Sequence, residues 1–323
     1  MEKVNTLVTG ATGFIGKRLV SQLLQIPSYR VAIFTRQVQP AFSTDVRLFH
    51  GDMMDVSALR DAVSSVDVVF HVAGNKRDES QMQAINVNGT HNLLEASVKA
   101  GVKAFVFLSS AGVVGSHPAD MIVRETISCH PQNEYEHSKY EAEKMVLAYA
   151  DKMQVVALRP TNVFGDSDPE KHLKVLWRTI KLGQFIYIGD KEARQNYVYV
   201  EDCAIACVHL ARLLLTGQVR NGEIFFLSDT FALHELVNSI ADFLEVKRPG
   251  LFLPKQIGWL LAAFGESLSR VSGRQLPLSM GRWMAMNNLI VYDSSKIRQL
   301  IPHENFVGWR EGIRRMIEWY ERQ

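Results

Sequence analysis

The chain has 323 residues, 47% hydrophobic and 22% charged, which is ordinary for a globular protein and enough for a large sheet domain with a smaller partner. Its formal net charge of +2 is spread along the sequence, so neither a nucleic-acid surface nor a polybasic membrane anchor is expected, while small anionic ligands fit. Three cysteines cannot all pair, and no extracellular disulfide framework is implied.

The opening carries the most information. Val4-Asn5-Thr6-Leu7-Val8 reads as a strand, Thr9 to Gly16 as a glycine turn, and Lys17 to Leu24 as an amphipathic helix. That order aims backbone N–H groups and the positive end of a helix dipole at one point, which suits a pyrophosphate and hence a dinucleotide. Gly10 permits the turn off the strand, Gly13 leaves room for the phosphates, and Gly16 lets the helix pack close to the sheet. Met1-Glu2-Lys3 passes directly into this strand, leaving no room for a signal peptide, so a cytoplasmic location is expected.

Strands are predicted at Val4–Thr9, Arg30–Thr35, Val46–His50, Asp67–His71, Ala104–Leu108 and Gln154–Arg159, with helical runs between most of them. The pattern predicts an α/β fold, a doubly wound parallel Rossmann sheet over residues 1–165. Beyond Gly165 the alternation loosens, with Pro249-Gly250, Pro254, Gly273 and Pro277 as punctuation and a short strand at Glu223–Leu227. Residues 166–323 are expected to form mainly a smaller C-terminal substrate-binding lobe, with about 196–215 returning to the Rossmann domain. Cys203 and Cys207, four apart on a predicted helix, read as buried small side chains rather than metal ligands. The most apolar later stretch, Ile257 to Phe264, is far shorter than the roughly 20 residues needed to cross a bilayer. It reads as a buried helix or the wall of a substrate pocket, in preference to a peripheral membrane contact.

A second constellation is Ser110, Tyr135 and Lys139. Tyr135 and Lys139 are spaced to lie one turn apart on a helix beginning near Asn133. A tyrosine with a reference pKa of about 10 is a poor base at neutral pH, and a neighbouring ammonium stabilises its phenolate. Ser110 closes an apolar strand at the carboxyl edge, where ligands meet an open parallel sheet. A hydroxyl there is placed to hold a substrate oxygen.

With these pieces in order, the chain resembles the extended short-chain dehydrogenase/reductase family, also called the NAD-dependent epimerase/dehydratase family. The resembling segments are TGATGFIG at Thr9–Gly16, Gly51-Asp52-Met53-Met54-Asp55, His71-Val72-Ala73-Gly74, Asn86-Val87-Asn88-Gly89-Thr90, SSAGVVG at Ser109–Gly115, YEHSK at Tyr135–Lys139, RPTNVFG at Arg159–Gly165 and YVYVED at Tyr197–Asp202. The resemblance implies that Gly10, Thr12, Gly13, Phe14, Ile15 and Gly16 cradle the cofactor. It further implies that Asp52, with Met53 beside it, meets the adenine amino group and that Ala73 and Gly74 pass the riboses. Tyr135 is then the catalytic acid/base, Lys139 binds the nicotinamide ribose and lowers the tyrosine pKa, and Ser110 holds the reacting oxygen. Asn86 supports the active-site backbone, Pro160 flanks the carboxamide, Asn162 faces substrate, and Asp202 fixes a loop or helix start. Relatives of this kind often form homodimers through the helices carrying the asparagine motif and the Tyr-x-x-x-Lys pair, here with Val98 and Met145–Leu147 as candidate apolar surface.

Cofactor choice turns on the end of the second strand. NAD enzymes commonly place Asp or Glu there to hold the ribose hydroxyls, whereas this chain has Thr35-Arg36. A neutral residue followed by arginine favours NADP slightly over NAD. Ala111-Gly112 follow Ser110 in place of the adjacent acids of sugar-nucleotide dehydratases. Gln195 stands where many sugar-nucleotide epimerases carry a phosphate-binding arginine, although Arg194 is adjacent. The serine segment and the apolar Leu251–Leu278 region resemble the steroid-dehydrogenase and flavonol-reductase branches, in which Trp259, Leu260, Phe264 and Trp283 line a pocket; core packing explains the same residues equally well. The expected activity is NAD(P)-dependent hydride transfer at a secondary alcohol or ketone of a small or steroid- or flavonoid-like substrate. The alternatives are an NAD-dependent sugar-nucleotide epimerase and a non-catalytic nucleotide-sensing protein.

Overall fold

Apolar runs rich in Val, Ile, Phe and Leu favour strands covered on both faces, and they supply the central sheet. The computed structural model describes residues 3–37, 42, 45–117, 120–167, 171–272, 283, 287 and 289–323. In chain order its first strands are β1 (Val4–Thr9), β2 (Tyr29–Thr35), β3 (Arg47–His50), β4 (Val68–His71), β5 (Ala104–Leu108), β6 (Ile122–Val123) and β7 (Gln154–Pro160). They are followed by β8 (Asn162–Phe164), β9 (Tyr187–Ile188), β10 (Arg194–Tyr199), β11 (Glu223–Leu227), β12 (Asp229–Ala232), β13 (Phe252–Leu253) and β14 (Val291–Tyr292).

Seven strands form one sheet in the order β11-β7-β5-β4-β1-β2-β3, every neighbouring pair parallel. The strand order reverses between β1 and β4, creating the crevice at the carboxyl edge where doubly wound sheets bind ligands. Each strand predicted for the first 165 residues lies within one residue of its observed ends.

Successive side chains leave opposite faces of the sheet. Val8 joins one core with α1 (Phe14–Leu24) residues Leu19 and Leu23, whereas Leu7 joins the other with Leu59, Leu93 and Val146. The second core is roofed by α2 (Val56–Val63), α3 (Gly89–Ala100) and α4 (Glu134–Ala148). After α5 (Lys171–Lys181), helix α6 (Val200–Leu215) packs on α1, and β11 adds to the sheet beside β7, so both return to the large layer. Cys203 and Cys207 are buried within α6.

A three-stranded sheet, β12-β10-β8, stands beside the carboxyl edge, covered by α7 (Leu233–Phe243) and the C-terminal helix Trp309–Glu321. Asp202, in the first turn of α6, accepts hydrogen bonds from the N–H groups of Val307 (2.7 Å) and Gly308 (3.0 Å), fixing the loop before that last helix. Burial pushes its carboxyl up to about 6.

The reading of Ile257 to Phe264 as buried is corrected by α8 (Lys255–Ser272). Trp259, Leu260 and Phe264 are exposed, the last by 68%. The residues turned inward are small: Gly258 and Ala262 are buried, and a Cβ on Gly258 meets Ile188 and the Trp283 indole nitrogen. The large side chains therefore remain outside. Gly273, Pro277 and Leu278, at the far end of the apolar stretch, lie outside the described residues.

One buried ion pair clamps α4 to the sheet. Arg159 on β7 donates to both carboxylate oxygens of Glu143 on α4, at 2.9 and 2.5 Å, with side chains 2% and 1% exposed. Removing one partner leaves the other charge buried and unpaired. Arg159→Met is therefore expected to lower stability in urea unfolding by about 3–5 kcal/mol, with most of the loss recovered in the Arg159→Met/Glu143→Met double variant.

Candidate active site

Two adjoining cavities follow the carboxyl edge and share Gly10, Gly13, Val72 and Gly74. One, of about 440 Å³, is lined by Thr12, Phe34, Thr35, Arg36, Asp52, Met53, Ala73 and further residues of the loop after β4. The other, of about 410 Å³, is lined by Phe14, Ile15, Gly16, Ser110, Tyr135, Lys139, Pro160 and Asn162. Every residue expected to bind cofactor faces one of these halves, and Asn162 and Ser110 face the second.

The junction is shaped by glycine. Gly10 has a φ of +72°, and a Cβ there would lie 2.6 Å from the Ala73 backbone nitrogen. Gly13 is the N-cap of α1 and offers no side-chain oxygen, and the first turn carries no acid. The N–H groups of that turn therefore remain for a ligand. The two halves with a bare helix N-terminus between them fit a dinucleotide, with its pyrophosphate at the junction. At the adenosine end the Arg36 guanidinium is mostly exposed and 3.8 Å from the Asp52 carboxylate.

Tyr135 and Lys139 lie one turn apart on α4, which is capped by Asn133 accepting from the Glu136 N–H. The Tyr135 phenol shares the second half-cleft with the Ser110 hydroxyl, which accepts from the Gly112 N–H at 3.1 Å. Lys139 is 4% exposed, donates to the Leu108 carbonyl at 2.6 Å and lies over the Phe107 ring. Burial pulls its ammonium down to about 7, opposed by Glu143. Burial likewise pushes the Tyr135 phenol up, against the opposing effect of Ser110. A neighbouring ammonium was expected to lower this tyrosine; in the protein alone desolvation is the larger effect.

Asn86 lies behind the cleft, in a π-helical turn, Gln83–Asn88, that leads into α3. Its side chain accepts from the Asn75 N–H (2.7 Å) and donates to the Asn75 carbonyl (2.9 Å) and the Ser138 hydroxyl (2.9 Å). Ser138 in turn donates to the Tyr135 carbonyl at 2.8 Å, so Asn86 braces both the loop after β4 and the turn of α4 that carries Tyr135.

Sequence reasoning quoted His71 and Thr90 within motifs but gave them no role. The Thr90 hydroxyl donates to the Asn86 carbonyl at 2.5 Å, so it accepts from His71 Nε2 at 2.8 Å; Nδ1 then accepts from the Thr9 hydroxyl at 2.7 Å. Burial, with the Lys139 charge second, pulls His71 down to about 3, keeping it neutral for this relay. The signal was the placement of His71 at a strand end facing the glycine turn.

A switch-point crevice divided into two halves, with a Ser-Tyr-Lys group at one end, defines an enzyme of the extended short-chain dehydrogenase/reductase class. The NAD dependent epimerase/dehydratase family model matches residues 6–222, and the chain belongs to that family. It is 29% identical to sterol-4-alpha-carboxylate 3-dehydrogenase, decarboxylating, of Saccharomyces cerevisiae, over 99% of each chain. It is 27% identical to the N-acetyl-alpha-D-glucosaminyl-diphospho-ditrans,octacis-undecaprenol 4-epimerase of Escherichia coli O157:H7, over 91% of this chain and 88% of the relative. The solved UDP-glucuronic acid 4-epimerase of Bacillus cereus, in complex with NAD, shares the fold with a TM-score of 0.70 at 19% identity, covering 99% of each chain.

The depressed Lys139 makes a stability prediction. Its folded pKa is below the unfolded value of about 10.4, so burying the ammonium destabilises the fold most at or below pH 7. The penalty fades as pH rises from 7 towards 10. Thermal unfolding should show Lys139→Met more stable than the parent at pH 6–7, with the gap shrinking by pH 10.

Proposed function

We propose that this protein is an NAD(P)-dependent oxidoreductase that transfers hydride between the nicotinamide ring and a secondary alcohol or ketone carbon. The observation that carries the reading is that Ser110, Tyr135 and the buried Lys139 line one half-cleft together. NAD(P), when bound, supplies or accepts the hydride. Ser110 and Tyr135 hold the substrate oxygen, and Tyr135 gives it a proton in reduction or takes one in oxidation. Lys139 hydrogen-bonds the ribose and stabilises phenolate when that form is needed. Asn86, through Ser138, holds the turn of α4 in place.

For substrate we favour a small or steroid- or flavonoid-like alcohol. Its support is the sterol dehydrogenase among the relatives and Gln195 in place of a phosphate-binding arginine. Trp259, Leu260 and Phe264 line neither half-cleft, so the pocket assigned to them is not part of this proposal. The elements after Gly165 other than α6 and β11 are the proposed substrate lobe. The second reading, epimerisation through a transient ketone, uses the same residues and is favoured by the undecaprenol-linked epimerase among the relatives. We also propose a cytoplasmic homodimer contacting through α3 and α4, to be checked by light scattering.

Purification without added cofactor, denaturation and mass analysis of released nucleotide separates the two reactions. A reductase releases little, whereas near-stoichiometric NAD marks an epimerase that retains its cofactor. Tyr135→Phe is expected to lower turnover by roughly a hundredfold or more with cofactor binding intact; unchanged turnover contradicts the assignment.

We further propose NADP as the preferred cofactor, on the absence of a carboxylate at Thr35 and the exposed Arg36 at the adenosine end. In fluorescence titrations NADPH should bind more tightly than NADH. Arg36→Ala should weaken NADPH by about tenfold, consistent with one lost charge-assisted hydrogen bond, and leave NADH nearly unchanged.

A further inference from the structure

Of the three cysteines, Cys203 and Cys207 are buried in α6, and Cys129, in the loop before α4, is half-buried. Cys129 packs against Ala111, Val113 and Val114, in the turn that follows Ser110. Its sulfur accepts from Arg159 Nη2 at 3.3 Å, so a thiol that reaches the surface touches the buried ion pair between α4 and the sheet.

Arg159 has a donor to spare. A guanidinium is a planar fork of five N–H groups. Nε and one hydrogen of Nη2 go to the two Glu143 oxygens, which leaves the second Nη2 hydrogen for Cys129. Planarity sets an Nη1 hydrogen parallel to that one, on the side where Cys129 lies. Among the described residues Nη1 has no hydrogen-bond partner, although Arg159 is buried. A buried charged donor without an acceptor is costly, and the neutral sulfur beside it is a weak acceptor. Oxygen added to that sulfur gives Nη1 the acceptor it lacks.

We infer that Cys129 is a site of oxidation by hydrogen peroxide or an organic hydroperoxide, and that Arg159 holds the product as a sulfinate. Two equivalents of peroxide are consumed. In the first step the thiolate attacks a peroxide oxygen, the O–O bond breaks as an S–O bond forms, and sulfur gives up two electrons. The departing oxygen takes the proton and leaves as water, giving sulfenate. The second equivalent repeats the exchange and gives sulfinate. One sulfinate oxygen accepts from Nη1, while Nε and Nη2 keep Glu143.

Burial pushes the Cys129 thiol up, with Arg159 opposing the rise and Glu143 adding to it. Thiolate is therefore scarce at neutral pH and the first step is slow. What Arg159 supplies is a place for the product, a charge-assisted hydrogen bond to an oxyanion that sits at the surface end of the α4 ion pair. Burial pushes Cys203 and Cys207 up as well, and neither reaches the surface. The inference does not depend on the substrate or reaction proposed above.

The test treats the full chain with hydrogen peroxide and maps the added oxygen by peptide mass analysis, with Cys129→Ser treated alongside to account for methionine oxidation. Cys129 should gain two oxygens while Cys203 and Cys207 gain none. Relative to treated Cys129→Ser, oxidation at Cys129 should raise Tm by roughly 2–4 °C, because a buried cationic donor gains an anionic partner. In Arg159→Met/Glu143→Met the same oxidation should lower Tm, because the new charge then has no partner. A crystal structure of the oxidised parent should show a sulfinate oxygen within hydrogen-bond reach of Arg159 Nη1, and this reading stands whether or not the double variant folds. The inference is overturned by an unmodified Cys129, by equal oxidation of Cys203 and Cys207, or by a Tm gain as large without Arg159. Sulfinate oxygens turned to solvent, away from Nη1, overturn it as well.

Discussion

The arrangement depends on keeping one ammonium group almost out of water. Lys139 sits under the carboxyl edge of β5, held by the Leu108 carbonyl and the Phe107 ring, with burial working against its charge. Its neighbours fit that demand. Glu143, one turn further along α4, is itself neutralised by Arg159, so it favours the ammonium without being an unpaired buried carboxylate. His71 is neutral and spends both ring nitrogens on threonine hydroxyls, so it adds no second positive charge. A site that holds a lysine this way gives up stability for a group whose charge responds to what binds beside it.

The same buried polar groups position the two halves of the crevice. Asn86 connects the loop after β4 to the turn of α4 that carries Tyr135, through Asn75 and Ser138. His71 and Thr90 connect the Asn86 carbonyl to Thr9, the last residue of β1 before the glycine turn. One hydrogen-bonded network thus links the end of the first strand to the tyrosine. A ligand lying along the crevice contacts residues whose spacing the network fixes.

Much of this was legible in the sequence, for physical reasons. Strands such as Val4–Thr9 and Ala104–Leu108 are buried on both faces and read as unbroken apolar runs bounded by turn residues. The glycine turn and the Tyr135–Lys139 spacing each encode local geometry that one strand–helix unit or one helical turn expresses. What was not legible depends on contacts distant in the chain. The direction of the Tyr135 shift needs the extent of its desolvation, which no spacing gives. The His71 relay needs β1, β4 and α3 brought together, and Thr9 and His71 are 62 residues apart. For α8 the periodicity revealed an apolar stripe but not which side meets the protein. That was decided by Gly258, whose missing side chain lets the helix lie against Ile188.

The central claim is that one dinucleotide occupies both half-clefts with its reactive ring at Tyr135. A crystal structure of the protein with NADPH tests it most directly. The account predicts the adenosine beside Arg36 and Asp52, the pyrophosphate at the N-terminus of α1, and the nicotinamide ring within reach of Tyr135 and Lys139. A dinucleotide bound elsewhere, or bound here with its nicotinamide end turned away from Tyr135, would contradict it.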